Sequence, residues 1–235
     1  MLFYYAKRRV FGLSRRYTLE VYMIYAIMCG GDYSKWDEPR QLKTINGEPL
    51  VSRTIRLLKE NGVENICITA TDERFDNFGV PRLKHSNNYK QSKNGESGYW
   101  LDAFYPFREP ITYLFGDVYF TEQAIKDIIS CEGGNILYGS KIATNKLHQN
   151  WGEPFAYVVN DWQTFKKGIE AVKRLQDEGK TKRVPIAWEL YRYLNGIDVN
   201  THEVREETFR VIDDETIDID SPKAYEELKV RIEHG

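Results

Sequence analysis

Two parts of this 235-residue chain bring together residue types suited to chemistry on phosphates. The first is the run Cys29-Gly30-Gly31-Asp32-Tyr33-Ser34-Lys35-Trp36-Asp37-Glu38-Pro39-Arg40-Gln41-Leu42. Glycines allow backbone N–H groups to approach phosphate oxygens, and Lys35 and Arg40 carry positive charge into the same loop. Phosphoryl and nucleotidyl transfer need positioning and charge neutralisation more than covalent help. The second part is acidic: Gly116-Asp117 follows an apolar run, and Asp218 and Asp220 alternate with Ile217 and Ile219. Residues alternate faces along a strand, so Asp218 and Asp220 share a side. Such oxygens suit a hard divalent cation that keeps waters and binds substrate phosphates. Plainer readings stand beside these: Gly30 and Gly31 as a tight turn, Asp117 as a turn former, and 203–220 as a solvated acidic edge.

The elements that must hold these residues read as a βαβ unit. Val21 to Met28 is a nearly unbroken apolar run, as expected for a parallel strand covered on both faces. Asn46-Gly47-Glu48 is a turn signal, and Pro49 is a favourable first helical residue. Leu50, Thr54, Leu57 and Leu58 recur at helical spacing, Gly62 ends that helix, and 65–70 is the next strand. The glycine loop thus falls at the C-terminal end of the first strand, where open α/β sheets bind ligands. It has neither the GxxxxGK[ST] nor the GxGxxG spacing, which disfavours P-loop and dinucleotide folds.

Further along, 72–95 reads as a long polar connection with at most short helical or strand pieces, a kind of segment that is often functional. A helix is expected over 97–107, a strand over 111–115, and a helix capped by Thr121 and carrying Ile125, Ile128 and Ile129. Strands follow at 135–138 and 155–159, then a long helix capped by Asp161 and ended by Gly179. A helix over 185–194, short strands at 208–212 and 216–220, and a last helix begun by Ser221 and Pro222 complete the chain. The expected fold is α/β: a single Rossmann-like domain with a mostly parallel, mixed sheet and helices on both faces.

Acids and bases nearly balance, 35 against 33, so no nucleic-acid partner is announced. Cys29, Cys67 and Cys131 are odd in number and lack CxxC pairing, which points to reduced thiols and a cytoplasmic setting. No apolar stretch approaches the roughly 18 residues of a membrane span, so no stable membrane insertion is expected. His85, His148, His202 and His234 have no metal-ligand spacing.

The glycine loop, the Pro39-Arg40 pair, the segment Asn46-Gly47-Glu48-Pro49-Leu50, the strand-end Gly116-Asp117 and the closing Ile217-Asp218-Ile219-Asp220-Ser221-Pro222 occur in an order that resembles a known family. It is the nucleotidyltransferases that couple an NTP to a sugar or alcohol phosphate. The resemblance runs from Met23 to the end and implies a nucleotide-diphospho-sugar transferase type of fold in 23–235. It further implies a Mg2+-dependent reaction of an NTP with a sugar, polyol or alcohol phosphate that releases pyrophosphate. Lys35 and Arg40 take the catalytic role, Asp117 and Asp220 the metal, with Asp218 in support. Gly30, Gly31, Asp32, Gly95 and Ser97 bind the nucleotide, although Ser97 serves equally as a plain helix cap, and Thr71 and Asp72 also stand within reach. Two departures are visible: Tyr33 and Lys35 replace the family's further glycine and arginine, and Arg40 replaces its lysine, exchanging a point charge for a planar fork.

Two other functions fit parts of the pattern. A glycosyltransferase using a nucleotide sugar would read Asp218-Ile219-Asp220 as its metal motif, and a non-catalytic nucleotide-binding module would tolerate the departures. Trp100, Trp151, Trp162, Trp188, Tyr191 and Tyr193 are core residues or, alternatively, faces for a trimethylammonium substrate. Residues 1–22 precede the resemblance and read as an N-terminal extension, non-native or disordered, or as a basic amphipathic segment for an anionic surface. A homo-oligomer is compatible with all of these readings.

Overall fold

The computed structural model describes residues 23–31, 36–85, 98–140 and 152–234. In chain order the described residues form β1 (Ile24–Met28), a ribbon of β2 (Thr44–Ile45) and β3 (Glu48–Pro49), and α1 (Leu50–Glu60). Then come β4 (Ile66–Ala70), β5 (Arg82–Lys84), β6 (Ile111–Phe115), β7 (Val118–Tyr119) and α2 (Glu122–Ile129). The second half contains β8 (Ile136–Ser140), β9 (Pro154–Val159), α3 (Trp162–Asp177), α4 (Ala187–Leu194), β10 (Phe209–Ile212), β11 (Ile217–Asp218) and α5 (Pro222–His234).

Among the described residues seven strands form one sheet in the order β10-β8-β9-β6-β1-β4-β5. β1 is parallel to β4 and β6, β4 to β5, and β10 to β8. β9 alone is inverted, antiparallel to both β6 and β8. β4 and β6 are buried at every residue, so both faces of the sheet are covered, as continuous apolar runs require. The sheet is therefore mixed and mostly parallel, as expected from the sequence.

The caps follow the sequence closely. Thr121 accepts from the Ala124 N–H, Asp161 from that of Thr164, and Ser221 from that of Ala224. Gly62 and Gly179, with φ of 82° and 65°, stop the helices before them in a conformation that favours glycine. Pro49 lies just before α1 and pairs with Thr44 across the β2–β3 ribbon instead of opening the helix.

The expected helix over 97–107 does not form in its described part, 98–107. Among the described residues only Trp100–Ala103 make a helical turn, of 3-10 type. Pro106 disfavours a helical Tyr105, and the aromatic side chains are spent on packing: Phe104 meets Tyr113 and Phe165 edge to face, and Trp100 meets Phe115. Trp188 and Tyr191 are likewise core residues, packed on Phe209. Tyr193 is exposed, and Trp151 lies outside the described residues.

The main core lies on the sheet. A second, smaller cluster of Ile45, Leu50, Tyr119, Ile219, Tyr225 and Leu228 attaches α5 and the segment before it to the β2–β3 ribbon and α1. β11 pairs antiparallel with β7 and sets Asp218 opposite Val118. Through this ribbon the last acidic motif reaches the C-terminal edge of the parallel strands.

Candidate active site

Gly116 follows β6 in a place where only glycine fits. A Cβ there would lie 2.6 Å from the Met28 carbonyl oxygen and 2.8 Å from Cys29 Sγ. The Gly116 N–H donates to that same carbonyl at 3.0 Å. Asp117 is thereby carried to the end of β1, beside the glycine loop. Gly116→Ala is expected to drive the β6 end away from β1 and to lower both melting temperature and activity. A variant with wild-type stability, measured by thermal denaturation, would show that the two strand ends separate freely.

Arg40 sits in a short 3-10 turn, Arg40–Leu42, directly after Pro39. Its Nη2 meets Asp117 Oδ2 at 2.5 Å, and its Nη1 lies 3.4 Å from Asp220 Oδ1 and donates to the Ile219 carbonyl at 3.2 Å. The planar fork thus ties the carboxylate after β6 to the one after β11. Asp117 and Arg40 are about four-fifths covered, whereas Asp220 is 67 % exposed. The Ile219 N–H donates to the Asp117 carbonyl at 3.0 Å, which fixes the spacing of the two acidic segments.

Two more acids, Asp218 and Glu153, reach the same place. Glu153, Asp218 and Asp220 each present a carboxylate oxygen within 4.8 Å of the others. Glu153 stands just before β9, and because that strand is inverted its beginning falls where the parallel strands end. Continuing the pairing of Leu114 with Ala156 brings Glu153 opposite Asp117. Its backbone is held on both sides: the Glu153 N–H donates to Ser140 Oγ at 2.7 Å, and the Ser140 N–H donates to the Glu153 carbonyl at 2.8 Å. The Trp188 indole N–H also donates to the neighbouring Gly152 carbonyl at 2.8 Å.

Crowding these acids has the expected electrostatic effect. Burial, then Asp117 and Asp220, hold the Asp218 carboxyl well above the ordinary range. Burial also raises Asp117, against the pull of Arg40. Arg40 would lose affinity for its proton through burial, but Asp117, Asp218 and Asp220 outweigh that and raise it. Glu153 is pushed up to about 7 by partial burial, with Asp220 and Asp117 adding repulsion. Asp218 Oδ1 is buried without a hydrogen-bond partner. A buried acceptor in a group of carboxylates is the environment that a divalent cation satisfies.

The upward shift of Glu153 fixes the sign of a pH dependence. The folded protein holds this proton more tightly than the unfolded chain, so the stabilisation is complete below the ordinary value near 4.5 and fades as pH rises through about 7. In EDTA the protein is expected to melt at a lower temperature at about pH 8 than at about pH 5, and Glu153→Gln is expected to flatten that difference. Equal pH dependence in wild type and variant would remove Glu153 from the cluster.

Of the residues expected from the sequence, Gly30, Gly31, Arg40, Asp117 and Asp220 come to one edge of the sheet, and Asp218 joins them. Among the described residues a Cβ at Gly31 would meet nothing within 4 Å. Asp32, Lys35, Gly95 and Ser97 lie outside the described residues, as do 1–22. Asp72 is engaged in its own turn, paired with Arg74 at 2.6 Å. Glu153 was not anticipated; an acid before a short apolar strand carries no local mark of its role. Among the described residues no helix is long and apolar enough to cross a membrane.

No family model matches the chain, and no curated protein matches it by sequence. Solved structures do. The chain resembles the CTP:phosphocholine cytidylyltransferase of Streptococcus pneumoniae with a TM-score of 0.56 and 14% identity, over 89% of this chain and 98% of that one. It resembles a putative glucose-1-phosphate thymidylyltransferase from Bacillus anthracis with a TM-score of 0.53 and 13% identity, over 91% and 96%. At such identity the likeness is one of fold, and it extends over nearly the whole of each relative. The chain has the Rossmann-like fold of solved nucleotidyltransferases.

Proposed function

We propose that residues 23–235 form a nucleotidyltransferase that joins an NTP to a sugar, polyol or alcohol phosphate, with residues 1–22 as an extension outside it. The observation that carries this reading is the convergence of Arg40, Asp117, Asp218, Asp220 and Glu153 beside a glycine loop at the C-terminal edge of the sheet. An oxygen of the acceptor phosphate attacks the α-phosphorus, the new P–O bond forms, and the bond to the β-phosphate breaks to release pyrophosphate.

The backbone of Gly30 and Gly31 cradles the phosphates, with Asp32 in the same loop, and Gly95 and Ser97 contact the nucleoside. Lys35 and Arg40 offset charge that builds on the α- and β-phosphates. Asp220 and Asp117, with Asp218 and Glu153 beside them, would hold Mg2+. Bound there, the cation would supply charge stabilisation and orientation of the phosphates. Cys29, Cys67 and Cys131 form no disulfide among the described residues, which supports a cytoplasmic setting.

Pyrophosphate release from CTP, UTP, GTP, ATP and dTTP with Mg2+ and a panel of acceptor phosphates tests the proposal. Release that depends on both substrates is expected. Binding without release would leave a nucleotide-binding module, and turnover of a nucleotide sugar alone would make the chain a glycosyltransferase.

A further inference from the structure

His85 stands one residue beyond β5, where its backbone N–H donates to the Ala70 carbonyl at 3.3 Å. Its ring is fixed from two sides. Nε2 lies 2.5 Å from the Asp102 carbonyl oxygen, and the ring meets Tyr105 edge to face with centroids 5.2 Å apart. A carbonyl oxygen only accepts, so Nε2 must carry the proton of the uncharged imidazole. Nδ1 is then a bare acceptor, and it has no hydrogen-bond partner among the described residues.

Beside this ring is a pocket of about 10 Å³ lined by Met28, Gly30, Thr69, His85 and Ala103. That is room for one water-sized group. The pocket opens next to Gly30, on the β4 and β5 side of β1, whereas Asp117 and Glu153 flank β1 on the β6 and β9 side. A nucleotide whose α-phosphate faces the acids and whose phosphates cross the glycine loop extends its nucleoside toward β4 and β5. A substituent on its base is then the group of the right size for the pocket.

We propose that His85 reads the nucleobase: Nδ1 accepts a hydrogen bond from the 4-amino group of cytosine or the 6-amino group of adenine, and the site rejects the counterparts with a keto oxygen at that position. A keto oxygen would face the Nδ1 lone pair, leaving two acceptors desolvated against each other. The inference rests on the nucleotidyltransferase reading and deepens it by naming the class of base.

Binding of the matched pairs CTP and UTP, and ATP and ITP, measured by calorimetry with Mg2+, tests it. The wild-type protein is expected to bind the amino member of one pair at least about tenfold more tightly, and which pair shows the preference identifies the ring. His85→Gln keeps an amide donor for the Asp102 carbonyl but places no acceptor where Nδ1 stands, so the ratio is expected to fall close to one. His85→Asn, which places an acceptor near the Nδ1 position, is expected to keep part of the ratio. Equal affinity within both pairs, a preference for the keto members, or a full preference in a folded His85→Gln protein would overturn the inference while leaving the transferase reading intact. Failure of the folded protein to bind any NTP would overturn the transferase reading, and this inference with it.

Discussion

Asp220→Asn and Asp117→Asn are each expected to lower turnover by about 10²- to 10³-fold or more, with the largest deficit at limiting Mg2+. An amide oxygen has the shape of a carboxylate oxygen without its charge, and charge is what a hard cation draws from these ligands. The fold should survive. Asp220 is mostly exposed, and Asp117 is engaged with Arg40 at the rim of the sheet, outside the apolar core. Initial rates of pyrophosphate release across a Mg2+ titration make the measurement, with circular dichroism as the control for folding. Near-wild-type turnover of either variant at low Mg2+ would take that residue out of the cation site. Asp117→Asn should also raise the mobility of Arg40, since the closest contact of that guanidinium is removed.

Arg40→Ala is expected to cost about 10²- to 10³-fold in kcat, the scale seen when one preorganised charge-stabilising donor is lost. The same guanidinium spans Asp117 and Asp220. Its removal leaves these acids without their cation, so the variant should also melt earlier in EDTA and regain stability when Mg2+ is added. Arg40→Lys is expected to recover part of the rate, because a point charge restores neutralisation without the bridge between two carboxylates. Turnover of Arg40→Ala within about threefold of wild type would exclude a charge-stabilising role.

The parts of the site that were legible in the sequence are those written in short runs. Gly30-Gly31 follows an apolar strand, Gly116-Asp117 follows another, and Asp218 and Asp220 alternate with isoleucines, so each declares its position without knowledge of the rest of the chain. Glu153 is different. Its place depends on β9 entering the sheet backwards between β6 and β8, and Phe155 to Val159 reads the same in either direction. The helix expected over 97–107 failed for a related reason: overlapping apolar faces suggested amphipathicity, whereas the rings are distributed among contacts with β6 and α3. His85 carried no sequence signal, because its one acceptor is defined by a carbonyl seventeen positions away.

The acidic half of the site hangs on the small cluster around Ile219, Tyr225 and Leu228, which is separate from the core on the main sheet. The ribbon that brings it in is two residues long on each side, and Asp220 lies 180 positions from the arginine that it meets. Such a unit opens at lower free energy than the whole domain unfolds. Amide protons of β11 and α5 should therefore exchange with deuterium sooner than those of β1 and β6, and added Mg2+ should slow them selectively. A chain nicked by a protease between Asp213 and Glu215, which are exposed, retains all the strands of the main sheet, with Asp117 and Glu153, but holds Asp218 and Asp220 only through non-covalent contacts. It would pass a test for folded protein while its catalytic fraction declined, so the half-life of activity on storage is set by the last twenty or so residues and not by the melting of the sheet.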